Sequence, residues 1–513
     1  MTTVSEAIIS PAISTTLDKL VLCLASGADA VLVGPVGCGL SAIVQLSSLA
    51  LRDKNFPFVL MDCRAMVPWQ EAYRVACNHA NDILSSTKRL PVLAIDHCGD
   101  LESQDVIDLY RTITSNTNGS AYARLWVGNL DCRCLETEYG LPIIRDQQSF
   151  FLMPEYHRDD LLRIYFAIGK GRECEWGEAI HYFLHDWCGS DLALVDGLAA
   201  YLYGNWKEHL YDESVCDCLD RWLAADSIVQ KYRQSLNALQ EPSLKYIRLL
   251  CSGGKVPCHA PGIEHETDGA LRDLYFRGFI TANLIPGFYQ FRNLTVNLLA
   301  MQTHAGTGIT SASLLRKSSN MRVNAIIQDI EVSLRYLIAR CFATIGIQET
   351  KRRLEATKTD EQPMTSEARK WLLEWARQTG SEDLQRDLTR HLTAYTREFY
   401  RTRNLWTRVC DLHLKEVGGD GGSIQEPPLE KIADYLTFNE LSALVLGLCP
   451  NTFPKWKTEI RGRQSPAKRW PAHLARVERL RNQSAHLRNV TFQDMEDLLK
   501  TAEEMRRDML EYV

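Results

Sequence analysis

Ala30-Val-Leu-Val-Gly-Pro-Val-Gly-Cys-Gly-Leu-Ser41 joins four strand-forming residues to a turn with three glycines and then to a run with helical spacing. Ala30–Val33 has no polar member, the pattern of a strand covered on both faces. Gly34, Gly37 and Gly39 keep the turn open, and a helix is expected from about Ser41 to Leu51. In that setting backbone N–H groups and a helix start can surround a phosphate. Working outward, Phe58–Met61 reads as a second strand, followed by a helical stretch to about Ser85. Pro91–Asp96, a helix near Gln104–Thr114 and Leu125–Gly128 follow. Strands alternating with helices predict a parallel sheet with crossover helices.

The chain has 513 residues, which suggests several cores rather than one. Hydrophobic residues make up 45% and charged residues 24%, with a net charge of −6. Any nucleic-acid contact must therefore come from a local basic surface. The first twenty residues have no basic segment ahead of a long apolar run, and no stretch approaches the about 18 apolar residues of a membrane helix, so a cytoplasmic protein is expected. The 16 cysteines are scattered. The pairs Cys132/Cys134 and Cys216/Cys218 lack a matching second half at zinc spacing, so reduced buried thiols and no metal are expected.

From about Pro154 to Gln240 the pattern is helical and rich in aromatics. Residues 243–300 carry two helical segments, SLKYIRLLC and ALRDLYFRGFI, then two short strand-like pieces around a Pro-Gly turn, which reads as a winged helix. The segment 305–313 is small, polar and linker-like. Beyond it Ile327, Ile330, Leu334, Leu337, Ile338 and Cys341 recur at helical spacing. Loops are expected near Lys351–Thr365 and at 418–428.

Gly34-x-x-Gly37-x-Gly39-Leu40-Ser41 resembles the phosphate loop of AAA+ and STAND-type ATPases, in the order strand, loop, helix, lid and winged helix. The resemblance covers roughly 300 residues of layout. It implies Asp96 in the place of the acid that holds Mg²⁺, Asn129 as a polar sensor, and Trp187-Cys-Gly-Ser-Asp191-Leu as the lid turn. Two departures matter. Leu40 stands where the family has Lys, and His97 where it has the Glu that orients the attacking water. ATP hydrolysis is not expected, although Gly34, Gly37, Gly39, Ser41, Asp96 and Asn129 can still form a vestigial nucleotide site.

The last third resembles the HEPN superfamily, strongest over 428–511 and covering roughly 200 residues. The match rests on an opening helix near Glu331 and Arg335, an acidic-aromatic hinge, Arg481-Asn482-x-x-x-His486 and a long closing helix. Leu474, Val477 and Leu480 give the motif's helix a buried face. RNA brings its own nucleophile, so cleavage needs no metal or cofactor. His486 can move protons, Arg481 can meet charge developing on phosphate, and Asn482 can orient either. The family resemblance implies a homodimer through this domain and products ending in a 2′,3′-cyclic phosphate. Arg476, Arg479, Arg488, Lys468 and Arg469 are expected to form a local basic groove.

The expected organisation is multidomain. An α/β P-loop-like core (1–153), a helical lid (154–240) and a winged helix (241–304) precede an all-α HEPN bundle (315–513). The expected function is a metal-independent endoribonuclease acting in antiviral defence under a degenerate ATPase-like sensor. Two alternatives stay open: a non-enzymatic adaptor that dimerises through the HEPN domain and partners an active ATPase or another defence subunit, and a DNA-binding regulator acting through the winged helix.

Overall fold

The computed structural model describes residues 11–64, 67–98, 103–115, 122–128, 150–154, 156, 158–171, 177–205, 212–258, 263, 266–283, 287–305, 309–359, 364–417, 426–460, 462–485 and 490–513. It divides into two compact units, 1–315 and 316–513.

The first unit is built on a five-stranded parallel sheet. Its strands are β1 (Ala30–Val33), β2 (Phe58–Asp62), β3 (Val92–Asp96), β4 (Ala123–Gly128) and β5 (Phe150–Leu152), in the spatial order β2-β3-β4-β1-β5. Helices α1 (Pro11–Ala25), α2 (Leu40–Asp53), α3 (Trp69–Thr87) and α4 (Ser103–Ser115) accompany it. The first four strands lie where their apolar runs place them: β1 and β3 are buried along their whole length, whereas β2, at the sheet edge, alternates and leaves Leu60 exposed. Leu32, Leu93, Ala94, Ile95 and Leu125 are fully buried. Neither α1, which buries Ile13, Leu20, Val21 and Leu24, nor the three-residue β5 was expected. With β4 between β1 and β3, the carboxyl ends of β1 and β3 face one crevice, where open parallel sheets present ligand sites. In the β2–β3 pairing Asp62 lies beside Asp96.

Five helices follow: α5 (Arg158–Gly171), α6 (Glu178–Cys188), α7 (Leu192–Asn205), α8 (Asp212–Ala225) and α9 (Ser227–Asn237). Trp187 and Trp222 are fully buried among them. Then come α10 (Ser243–Cys251), β6 (Val256–Pro257), α11 (Gly269–Phe276), β7 (Ile280–Asn283), β8 (Phe288–Phe291) and α12 (Leu294–Ala300). The hairpin strand β8 also pairs with β6, giving a three-stranded wing in the order β6-β8-β7. Six of the eight residues of α11 are buried.

The second unit is helical throughout its described residues. It contains α13 (Ser311–Ile345), α14 (Ile347–Glu355), α15 (Ser366–Gln378), α16 (Glu382–Thr402), α17 (Leu405–Glu416), α18 (Phe438–Thr452), α19 (Pro466–Ala485) and α20 (Phe492–Tyr512). The charged stretch from Lys351 is not a loop at its start. It lies on α14, where Arg352 and Arg353 both pair with Glu349 and only Thr350 and Leu354 are buried. Charge density there marks a solvated helix face. Trp456 and Trp470 pack edge to face with ring centroids 4.9 Å apart, and Trp470 Nε1 donates to Asp508 at 2.9 Å.

Thr437 begins α18 with a capping box. Its hydroxyl accepts from Glu440 N at 3.4 Å, and Glu440 Oε2 accepts from Thr437 N at 2.9 Å. Thr437→Ala should cost about 1 kcal/mol in chemical denaturation of the full chain. An unchanged midpoint would mean that Glu440 alone secures this turn.

Candidate functional site

The loop after β1 lies at the sheet's carboxyl edge, with Gly37 (φ +76°) and Gly39 (φ +90°) in the left-handed region that glycine tolerates. Gly34 is fixed by packing. A Cβ there would come within 2.6 Å of Cys38 Sγ and 2.7 Å of Met153 Cβ, with Leu40 Cδ2 at 3.4 Å. Leu40 thus folds its side chain against the loop, at the position where a phosphate loop carries a lysine. Burial pushes the Cys38 thiol up to about 12, opposed by the nearby Arg292, so Cys38 packs as a neutral thiol.

Ser41 lies in the first turn of α2, and its hydroxyl is 3.0 Å from His97 Nε2. His97 follows β3 with a φ of +60°, and its backbone N–H donates to Asp96 Oδ1 at 2.8 Å. The ring's Nδ1 lies 3.2 Å from Asp96 Oδ2 and 3.2 Å from Asp62 Oδ1. It is buried, yet neither oxygen meets it at good hydrogen-bond geometry. Asp62 itself is held below the usual carboxylate range, chiefly by the hydrogen bond from Arg64. The fold thus brings Gly34, Gly37, Gly39, Ser41 and Asp96 to one crevice. Asn129 lies outside the described residues.

The helices after β5 and the β6–β8 segment close on the same loop. Leu192 N, at the start of α7, donates to Gly37 O at 2.8 Å, and Val36 N donates to Phe276 O at 3.0 Å. Asp191 caps α7, accepting from Ala193 N and Leu194 N at 3.1 and 3.0 Å and from the Tyr232 hydroxyl. A Cβ on Gly37 would overlap the Asp191 carboxylate. Arg292, just after β8, donates to Val36 O and reaches Ser190 Oγ with Nε (3.1 Å) and Nη2 (2.9 Å). Burial raises the Asp191 carboxyl above its usual range, while Arg292 and Tyr232 pull it back. Asp62, Tyr232 and Arg292 were not foreseen from the sequence. The one local signal was an Asp placed just before a helical run, the N-cap signature at Asp191.

No family model matches the chain, and no curated protein aligns with it. Among solved structures it is similar to the Walker-type ATPase PABY2304 of Pyrococcus abyssi, with a TM-score of 0.40 and 14% identity over 56% of this chain and 94% of that one. It is also similar to the Aeropyrum pernix Orc1 protein in complex with DNA, with a TM-score of 0.32 and 13% identity over 57% and 93%. The Thermotoga maritima RuvB Holliday junction branch migration motor gives 0.32 and 15% over 53% and 89%.

In the second unit Arg481 lies near the end of α19. Its Nε is 3.3 Å from Glu331 Oε1, and its guanidinium lies 5.8 Å from the Phe438 ring centroid. Arg335 Nη1 is 3.4 Å from the other Glu331 oxygen. Asn482 is exposed, and His486 lies outside the described residues. Ser484 donates to Asn324 Oδ1 at 2.8 Å, tying the end of α19 to α13. Leu474, Val477 and Leu480 are buried as their spacing requires.

The described basic residues expected to form a groove here each have a partner on the same unit. Arg469 pairs with Asp508 at 2.5 Å, Lys468 with Glu459 at 2.8 Å and Arg479 with Asp494 at 2.8 Å, while Arg476 donates to Thr501. Arg469 and Arg479 tie α19 to α20, while Lys468 and Arg479 remain half exposed or more in their pairs. Arg488 lies outside the described residues. No helix among the described residues is long and apolar enough to cross a membrane.

Proposed function

We propose that the chain is a regulated RNA-cleaving effector of antiviral defence, with Arg481, Asn482 and His486 as its reacting residues and the ATPase-like module as a non-hydrolysing sensor. The observation that carries the reading is the position of Arg481. Glu331 and the Phe438 ring fix its guanidinium in a partly exposed place, next to exposed Asn482. A cation oriented before the reaction stabilises a developing phosphate charge without reorganising. His486 removes the proton of the RNA 2′-OH, whose oxygen attacks phosphorus as the bond to the 5′ oxygen breaks. That oxygen leaves with a proton, giving a 2′,3′-cyclic phosphate and a 5′-hydroxyl. A second copy of the chain, joined through the helical unit, supplies the facing motif.

The sensor half of the reading is supported by Leu40 in place of an ammonium group and by lid and wing contacts on the loop itself. RNA incubated with the purified full chain in EDTA tests the proposal. Fragments ending in 2′,3′-cyclic phosphate are the expected result. RNA that is bound and left intact would favour the adaptor, a reading that the paired basic residues of α19 also fit.

A further inference from the structure

The His97 ring joins the groups that a magnesium nucleotide would need. In a working phosphate loop the hydroxyl at the Ser41 position is a ligand of Mg²⁺, and the carboxylate at the Asp96 position holds the same ion. Here one imidazole contacts both, with Nε2 3.0 Å from Ser41 Oγ and Nδ1 3.2 Å from Asp96 Oδ2. Asp62, next to Asp96 in the sheet, meets the same nitrogen at 3.2 Å. Mg²⁺ requires about six oxygen ligands near 2.1 Å in an octahedron. A ring bridging hydroxyl and carboxylate leaves no space for that shell between them.

The backbone is built to put the ring there. A φ of +60° is uncommon for a residue with a side chain, and it persists where the surroundings over-determine it. The hydrogen bond from His97 N to Asp96 Oδ1 holds the turn. On the other side of the loop Leu40 packs its methyl group toward Gly34, so the second cation of a phosphate loop is absent as well.

We infer that this loop is a metal-excluding centre, in which His97 takes the place of the divalent cation between Ser41 and Asp96, and that magnesium nucleotides do not bind there. The inference is independent of whether the second unit cuts RNA.

Mn²⁺ titration of the full chain, followed by electron paramagnetic resonance with and without ATP, tests it. His97→Gly is the gentlest variant, because glycine adopts the left-handed backbone without strain while removing the ring. Its folding is checked by circular dichroism and melting, and His97→Glu is read in the same way should the glycine variant fail that check. The expected result is at least tenfold tighter Mn²⁺ binding by the variant than by the wild type, with the gain lost when Asp96→Asn is added. A wild-type Mn²⁺ site that disappears in Ser41→Ala and Asp96→Asn overturns the inference. So does a folded variant that gains no site, since the ring would then not be what keeps the metal out.

Discussion

Arg292→Ala should lower the stability of the chain by about 3–5 kcal/mol in chemical denaturation, the usual cost of leaving a buried charge without its partner. The guanidinium donates to Val36 O and to the Ser190 hydroxyl, and its charge offsets part of the burial cost of Asp191. Arg292→Lys should recover little, since one ammonium group cannot reach both acceptors with the planar fork of arginine. The pH dependence has a definite sign. The folded pKa of Asp191 is above its unfolded value, so the folded chain holds more protons between the two, and stability falls as pH rises through that window. Removing Arg292 raises the folded value further. The deficit of the variant should therefore be smaller near about pH 5 than near about pH 7. Adding Asp191→Asn, which removes the stranded charge, should return part of the loss. A deficit that ignores pH would mean that Asp191 does not depend on Arg292.

His486→Ala should reduce metal-free RNA cleavage by roughly 10²–10⁴-fold, the range for loss of a general acid–base group. Arg481→Ala should cost roughly 10²–10³-fold, as removal of an oriented donor does. Neither loss should come from unfolding at Arg481. Its ion pair with Glu331 is part exposed, the arginine side chain at 42%, and such pairs contribute below about 1 kcal/mol. Arg481→Lys is the informative companion, because it keeps charge while losing the planar donor set. Fragment yields quantified on denaturing gels, with melting curves of the same samples, separate chemistry from stability. Full cleavage by both alanine variants would remove this motif from the reaction.

Where an element is covered on two faces, its composition alone announces it. AVLV, FVLM, VLAI (closed by Asp96) and LWVG are apolar runs, and each lies in a strand. Phe150–Leu152 is too short for any period to show. The glycines of the loop were legible as a motif, but their packing role was not. Gly37 is required by the Asp191 carboxylate, a residue more than 150 positions later in the chain. Asp62 looked like the polar end of any strand until the pairing with Asp96 gave it a neighbour. Tyr232 and Arg292 leave no local pattern, because a buried network across three parts of a fold has none in sequence. The ion pairs of the arginines and lysine around α19 are equally invisible in sequence. Composition counts cations and cannot count the carboxylates facing them, and Arg469 with Asp508 shows the difference.

The contact from Arg292 to Val36 O spans 256 positions of the chain, which has a bearing on how the protein is made. During synthesis β1 emerges early, yet its two neighbours in the sheet are residues 123–128 and 150–152. At about 5–20 residues per second, the ribosome takes roughly 13–50 s to go from the loop to the arginine that fastens it. Until residues 150–152 are made the strand of four apolar residues has an unpaired edge, and until Arg292 is made the glycine-rich turn lacks its last fastening. Chaperone occupancy on nascent chains should therefore be highest before residue 292 leaves the exit tunnel, and the wing acts as the final clasp on a sheet begun at the other end of the unit.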